Sequence, residues 1–134
     1  MKKTVLLLFG LLVFYSCLDS NDTLDFTYEY LPIDEAITPA SFTFGQIDTI
    51  KVKYSLPNGC YSFDRVFYET NDTIRTVAIT ALVALDKACT EAIIQEEHKF
   101  TIRASQKEDY VFKFYKGKNS SGENIFEEVI VPVN

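Results

Sequence analysis

From Phe26 onward the chain alternates apolar and polar residues with the period of two that a half-buried strand carries. Phe26, Tyr28 and Tyr30 alternate with Thr27 and Glu29, and Pro32 and Pro39 punctuate the stretch as strand ends do. The clearest strand follows: Ile50, Val52, Tyr54 and Leu56 on one face, Lys51, Lys53 and Ser55 on the other, closed by the turn signal Pro57-Asn58-Gly59. Arg65 to Thr70 and Ile74 to Thr80 flank Asn71-Asp72 and read as a hairpin, which places Cys60 opposite residue 83. Ala78 to Ala92 is rich in Ala and Leu; a strand is expected for its first half, and strand or short helix stays open for residues 85–95. Phe100 and Ile102, Phe112 and Phe114, and Val129, Val131 and Val133 mark the remaining strands, with a turn-rich loop at Lys116 to Asn124. About seven short strands with turns between them predict an all-β domain over residues 26–134, an immunoglobulin-like β-sandwich. Tyr110 stands where a tyrosine corner would, although the chain has no tryptophan to pack on a disulfide.

The first 25 residues break the alternation. Met1-Lys2-Lys3 and the apolar run Val5 to Tyr15 have the layout of a secretory signal, too short for a span of roughly 20 apolar residues and followed by Asp19 and Asp22. An ordinary cut before Cys17 needs a small residue where Phe14 stands. Phe14-Tyr15-Ser16-Cys17 instead resembles a relaxed lipobox of the kind found in Bacteroidota lipoproteins. The resemblance implies a lipoprotein signal peptide over residues 1–16, lipid attachment at Cys17 and a polar tether over residues 17–25. Asp19, Asp22 and Asp25 are similar to the acidic export signals of such proteins, which implies an outer-membrane lipoprotein on the surface or the periplasmic face, with the surface favoured.

Charge narrows the partners. The net charge of −6 moves to −8 when residues 1–16, which hold two lysines and no acid, are removed. Such a surface repels phosphate backbones and argues against nucleic acid; the membrane contact expected is the N-terminal lipid itself. With Cys17 lipidated in an oxidising compartment, Cys60 and Cys89 are expected to form a disulfide.

The order NGCYSF, a hairpin, a second cysteine, DYVFKFYKG and a terminal IFEEVIVPV resembles small lipoproteins of Flavobacteria and related Bacteroidota over most of the domain. The resemblance implies address and fold, and it brings no reaction with it.

Candidate chemistry is sparse. His98 is the single histidine; it sits beside Glu96 and Glu97, but alternate strand residues face opposite ways and no nucleophile can be named. Glu127-Glu128, like Glu96-Glu97, lacks the Asp-rich, glycine-containing loop of a calcium site and suits a charged strand edge. No metal ligand set, cofactor motif or catalytic residue is expected, and the chain is read as a non-enzyme. Tyr61 and Tyr115 are candidates for stacking on sugar rings. Asp followed by Thr and an apolar residue recurs at Thr23, Thr49 and Thr73, matching the O-glycosylation sequon of Bacteroidota exported proteins; nine aspartates give roughly half a match by ordinary usage. The function expected is a lipid-anchored binding or accessory module of the cell envelope with a protein or glycan ligand. The alternative is an inhibitor or immunity-type protein acting through a protruding loop such as Lys116 to Asn124.

Overall fold

A computed structural model describes residues 25–134. The predicted signal peptide, lipidated Cys17, tether and Thr23 lie outside the described residues. Within them the chain forms eight strands and no helix: β1 Phe26–Leu31, β2 Ile33–Ile37, β3 Ile47–Leu56, β4 Tyr61–Asn71, β5 Ile74–Ala84, β6 Ile94–Arg103, β7 Tyr110–Lys118 and β8 Asn124–Val131. Strands β1, β4, β5, β7 and β8 make one sheet, and β2-β3-β6 make the other. The fold is a β-sandwich.

The strand beyond the expected seven is β2. Its sequence IDEAI is short, and a register shift between Ile33 and Glu35 interrupts the alternation that would have revealed it. Pro32 is the hinge: it lacks an N–H for the ladder, so the chain leaves the larger sheet after Leu31 and enters the smaller one at Ile33, both of which are buried.

β5 organises the larger sheet. β4 pairs along one of its edges; the other is shared, with β1 antiparallel to residues 79–84 and β7 parallel to residues 74–77. That parallel pair departs from the antiparallel sheets of immunoglobulin domains. It also explains the ambiguous Ala78 segment: a central strand covered on both faces reads as a near-continuous apolar run. The strand ends at Ala84 and residues 85–93 form neither helix nor strand.

The core fills the space between the sheets. Ile50, Val52, Tyr54 and Leu56 of β3 face Val77, Ile79 and Ala81 of β5, all buried, as the alternation predicts. Tyr110, Phe112 and Phe114 stack along β7 with centroids 6.0 and 5.6 Å apart, and Phe42 meets Tyr110 edge-on at 5.0 Å. Each such side chain contributes about 1.5–3 kcal/mol when fully buried. The Ser105 N–H donates to the Tyr110 hydroxyl at 3.0 Å, the hydrogen bond to upstream backbone that a tyrosine corner makes. The Lys116 ammonium donates to the Ile33 and Asp34 carbonyls at 2.9 Å and pairs with Glu127 at 2.8 Å, tying β7 to β2 across the sandwich.

Two details of the hairpin differ from expectation. The turn is Asp72-Thr73, with Asp72 at φ 54°, rather than Asn71-Asp72, and Asp64 forms a bulge between Phe63 and Arg65. Cys60 therefore lies beside Ala84, whose N–H donates to its carbonyl at 3.0 Å, and not opposite residue 83. Cys60 is bonded to Cys89 in the irregular segment after β5, with 5.2 Å between the Cα atoms. The Gly59 N–H donates to the Thr90 carbonyl at 2.9 Å beside this bond, and a Cβ on Gly59 would collide with the Thr90 hydroxyl. On the chain-entropy relation, a bridge spanning 29 positions contributes about 3.5 kcal/mol. Reduction should lower the unfolding free energy by about that amount in denaturant titrations with and without a thiol reductant; an unchanged midpoint would exclude it.

Candidate binding face

The outer face of the larger sheet carries the most unusual surface of the described residues. Leu31 points into the core, so alternation along β1 turns Phe26, Tyr28 and Tyr30 outward. Register places Tyr30 beside Thr80 of β5, with Arg65 of β4 on the far side of the same residue and Phe67 beside Ala78. β7 and β8 bring Tyr115 and Phe126 to the same face as a cross-strand pair. The rings form a row across the sheet: Phe67 to Tyr30 at 5.3 Å, Tyr30 to Tyr115 at 6.4 Å, and Tyr115 to Phe126 at 5.9 Å. Arg65 lies over the Tyr28 ring at 5.9 Å.

Small side chains allow this arrangement. Ala78 and Thr80 form a low floor on β5, and the rings on both sides cover them until both are buried, although they lie on the outward side. Tyr28 and Tyr30 nevertheless remain 61% and 51% exposed. Between Tyr30, Phe67 and Phe126 a shallow cleft of about 220 Å³ opens, with Glu69, Thr76 and Asn124 as its polar lining. Rings open to solvent with hydrogen-bonding groups beside them can stack on an apolar ligand face while pairing with its polar rim.

The residues singled out in the sequence scatter around this face. Tyr115 belongs to it, but only 8% of it is exposed, so it supports its neighbours instead of meeting a ligand. Tyr61 points to the other side of the sheet, where its hydroxyl donates to Glu29 at 2.8 Å. His98 stacks on Phe63 at 4.5 Å. Glu96 accepts from the Tyr54 hydroxyl at 2.7 Å, while Glu97 turns to the opposite face and meets Lys51 at 3.4 Å. Glu128 lies opposite Lys113 on the outer face. Thr49 is exposed within β3 and Thr73 is half-buried in the β4–β5 turn. A turn leading into a strand thus accounts for Asp72-Thr73-Ile74, but Asp48-Thr49-Ile50 is already inside a strand. Of the expected loop from Lys116 to Asn124, the first three residues end β7 and the last begins β8; residues 119–123 form the loop, pinned by the Asn119 side chain accepting from the Ser121 and Glu123 N–H groups at 2.9 Å each. The exposed tyrosines were missed as a site because alternation alone does not say which face of β1 meets the core.

A family model for the ORF11 β-sandwich domain matches residues 50–125, more than half of the chain. The chain belongs to the ORF11 β-sandwich family. No curated protein and no solved structure matches it. The matched part of the ORF11 domain runs from the middle of β3 to the start of β8 and contains Arg65, Phe67 and Tyr115; β1, with the most exposed rings, precedes it.

One buried contact of the domain carries a pH signature. Burial, reinforced by the hydrogen bond to Glu96, holds the Tyr54 hydroxyl well above its ordinary value of 10.0. Tyr61 shifts the same way through its hydrogen bond to Glu29. The folded protein holds these protons more tightly than the unfolded chain, so their stabilisation is complete below the ordinary value and is lost as pH rises beyond it. Denaturant titrations between about pH 9 and pH 11 should show a falling stability whose slope is reduced by Tyr54→Phe; an identical slope in the variant would contradict the assignment.

Proposed function

We propose that this chain is a lipid-anchored binding module of the bacterial cell envelope that holds a glycan against the outer face of its five-stranded sheet. The observation that carries the reading is the exposure of Tyr30, in a row of rings flanked by Glu69 and Asn124, and of Tyr28 beside it under Arg65. A domain with a filled core gains nothing from leaving those rings wet, and contiguous apolar surface of this kind marks interaction sites. Sugar rings present C–H faces that stack on aromatics and hydroxyls that pair with carboxylate, amide and guanidinium groups at the rim. The resemblance of Phe14-Tyr15-Ser16-Cys17 to the relaxed lipobox of Bacteroidota outer-membrane lipoproteins supports the anchor.

Binding is favoured over turnover by what the polar groups are already doing. Glu96 is committed to Tyr54, Glu97 to Lys51 and Glu127 to Lys116, and the imidazole of His98 lies flat on Phe63. Acid–base catalysis needs such groups converging on one bond.

Two measurements test the reading. In the native host, Cys17→Ser should release the protein from the membrane fraction and remove the lipid mass from Cys17; unchanged retention would refute the anchor. That soluble variant, titrated calorimetrically with neutral oligosaccharides, should bind at least one, and Tyr28→Ala and Tyr30→Ala should each weaken binding about tenfold, the loss of one stacked ring. Equal affinity in both variants would exclude this face.

A further inference from the structure

A second site lies on another side of the sandwich and is independent of the aromatic face. Among the described residues β4 pairs only with β5, and β6 pairs only with β3. Their free edges lie one above the other, as the contact between Tyr68 and Phe100 at 6.1 Å shows. Between them runs a groove of about 500 Å³. β4 contributes the alternate residues Val66, Tyr68 and Thr70, which is side-chain lining, whereas β6 contributes Phe100 through Arg103 without a gap, which is a backbone edge laid open.

At the end of the groove sits Arg75, only 6% exposed. Its guanidinium donates to the Asp72 and Ile74 carbonyls and to the Gln106 side-chain oxygen, and it lies 4.8 Å from the Tyr110 ring centroid. Every one of these partners is neutral. None of the ion pairs among the described residues involves Arg75, and no aspartate or glutamate lines the groove, in a chain of net charge −6. Arg103, the other cation at the groove, donates to the Gly45 carbonyl instead. Arginine cannot shed its proton, and a buried cation without a counter-charge is costly. A carboxylate entering the groove would supply that charge in the bidentate geometry guanidinium favours.

We propose that the groove between β4 and β6 takes an extended acidic peptide segment that adds to the free edge of β6 and pairs one carboxylate with Arg75. The open backbone at residues 100–103 selects this ligand class, because a strand uses the unpaired ladder groups and an anionic sugar does not. Tyr68 and Phe100 would flank the inward side chains of the added strand.

The test uses the full chain carrying Cys17→Ser, isotopically labelled for NMR, and a capped heptapeptide alternating threonine and valine around one central glutamate. The expected result is saturable shifts of backbone amides in residues 100–103, with at least tenfold tighter binding than the same peptide with glutamine at its centre. Ser105→Glu places a competing carboxylate at the exposed rim without touching the core, and it should erase the preference for glutamate. Equal affinity for the two peptides, shifts confined to β1 and β8, or shifts at residues 100–103 with an oligogalacturonate but not with the peptide would each overturn the proposal.

Discussion

The structure depends on one strand having no free side. β5 is paired along both edges and packed on both faces, and β1, β4 and β7 each bond to it directly. Backbone groups buried at that depth have no access to water, so every N–H and C=O of β5 has to find a ladder partner. A single neighbour would have to run the length of one edge; here two strands arrive from opposite directions and divide it, β1 taking the later half and β7 the earlier. This division obliges the chain to hand over from the larger sheet to the smaller one at Pro32, and it sets β7 parallel to β5 after a crossover through β6.

Covering the outer face of β5 has a cost in surface character. Ala78 and Thr80 are small, so the layer above them comes from long aromatic side chains reaching in from β1, β4, β7 and β8, and those rings cannot be covered on both sides. The inner part of the row, Tyr115, is sealed; Tyr28 and Tyr30 are left open. The exposed face is therefore a direct result of how the central strand is shielded.

Much of this was legible in the chain. Period-two alternation located seven strands, and the buried set on β3 was the set the pattern named, because burying one face of a strand fixes the parity of the whole strand. Tyr110 was recognisable from its position before a strand. What stayed hidden was whatever alternation does not encode: β2, whose bulge breaks the pattern; the turn at Asp72-Thr73 and the bulge at Asp64, which together move Cys60 by a residue; and the outward parity of Phe26, Tyr28 and Tyr30, since aromatic residues usually signal the inside. Arg75 was invisible as well, because a single arginine in a β-branched run is indistinguishable from a solvent-facing one until the fold closes over it.

The disulfide and the start of β1 occupy one end of the sandwich, where the Leu85 N–H donates to the Asp25 carbonyl at 2.8 Å beside Cys60–Cys89; Arg75 and Tyr110 occupy the other. A pull entering at Asp25 and resisted at the far end runs along the strand axes. It loads the β1–β5 ladder from Phe26↔Ala84 to Leu31↔Ile79 in shear, so that its hydrogen bonds must fail together instead of unzipping one after another. The disulfide locks the segment behind them against following. Under such a load the β1–β5 ladder resists along the strand axes more than it would across them.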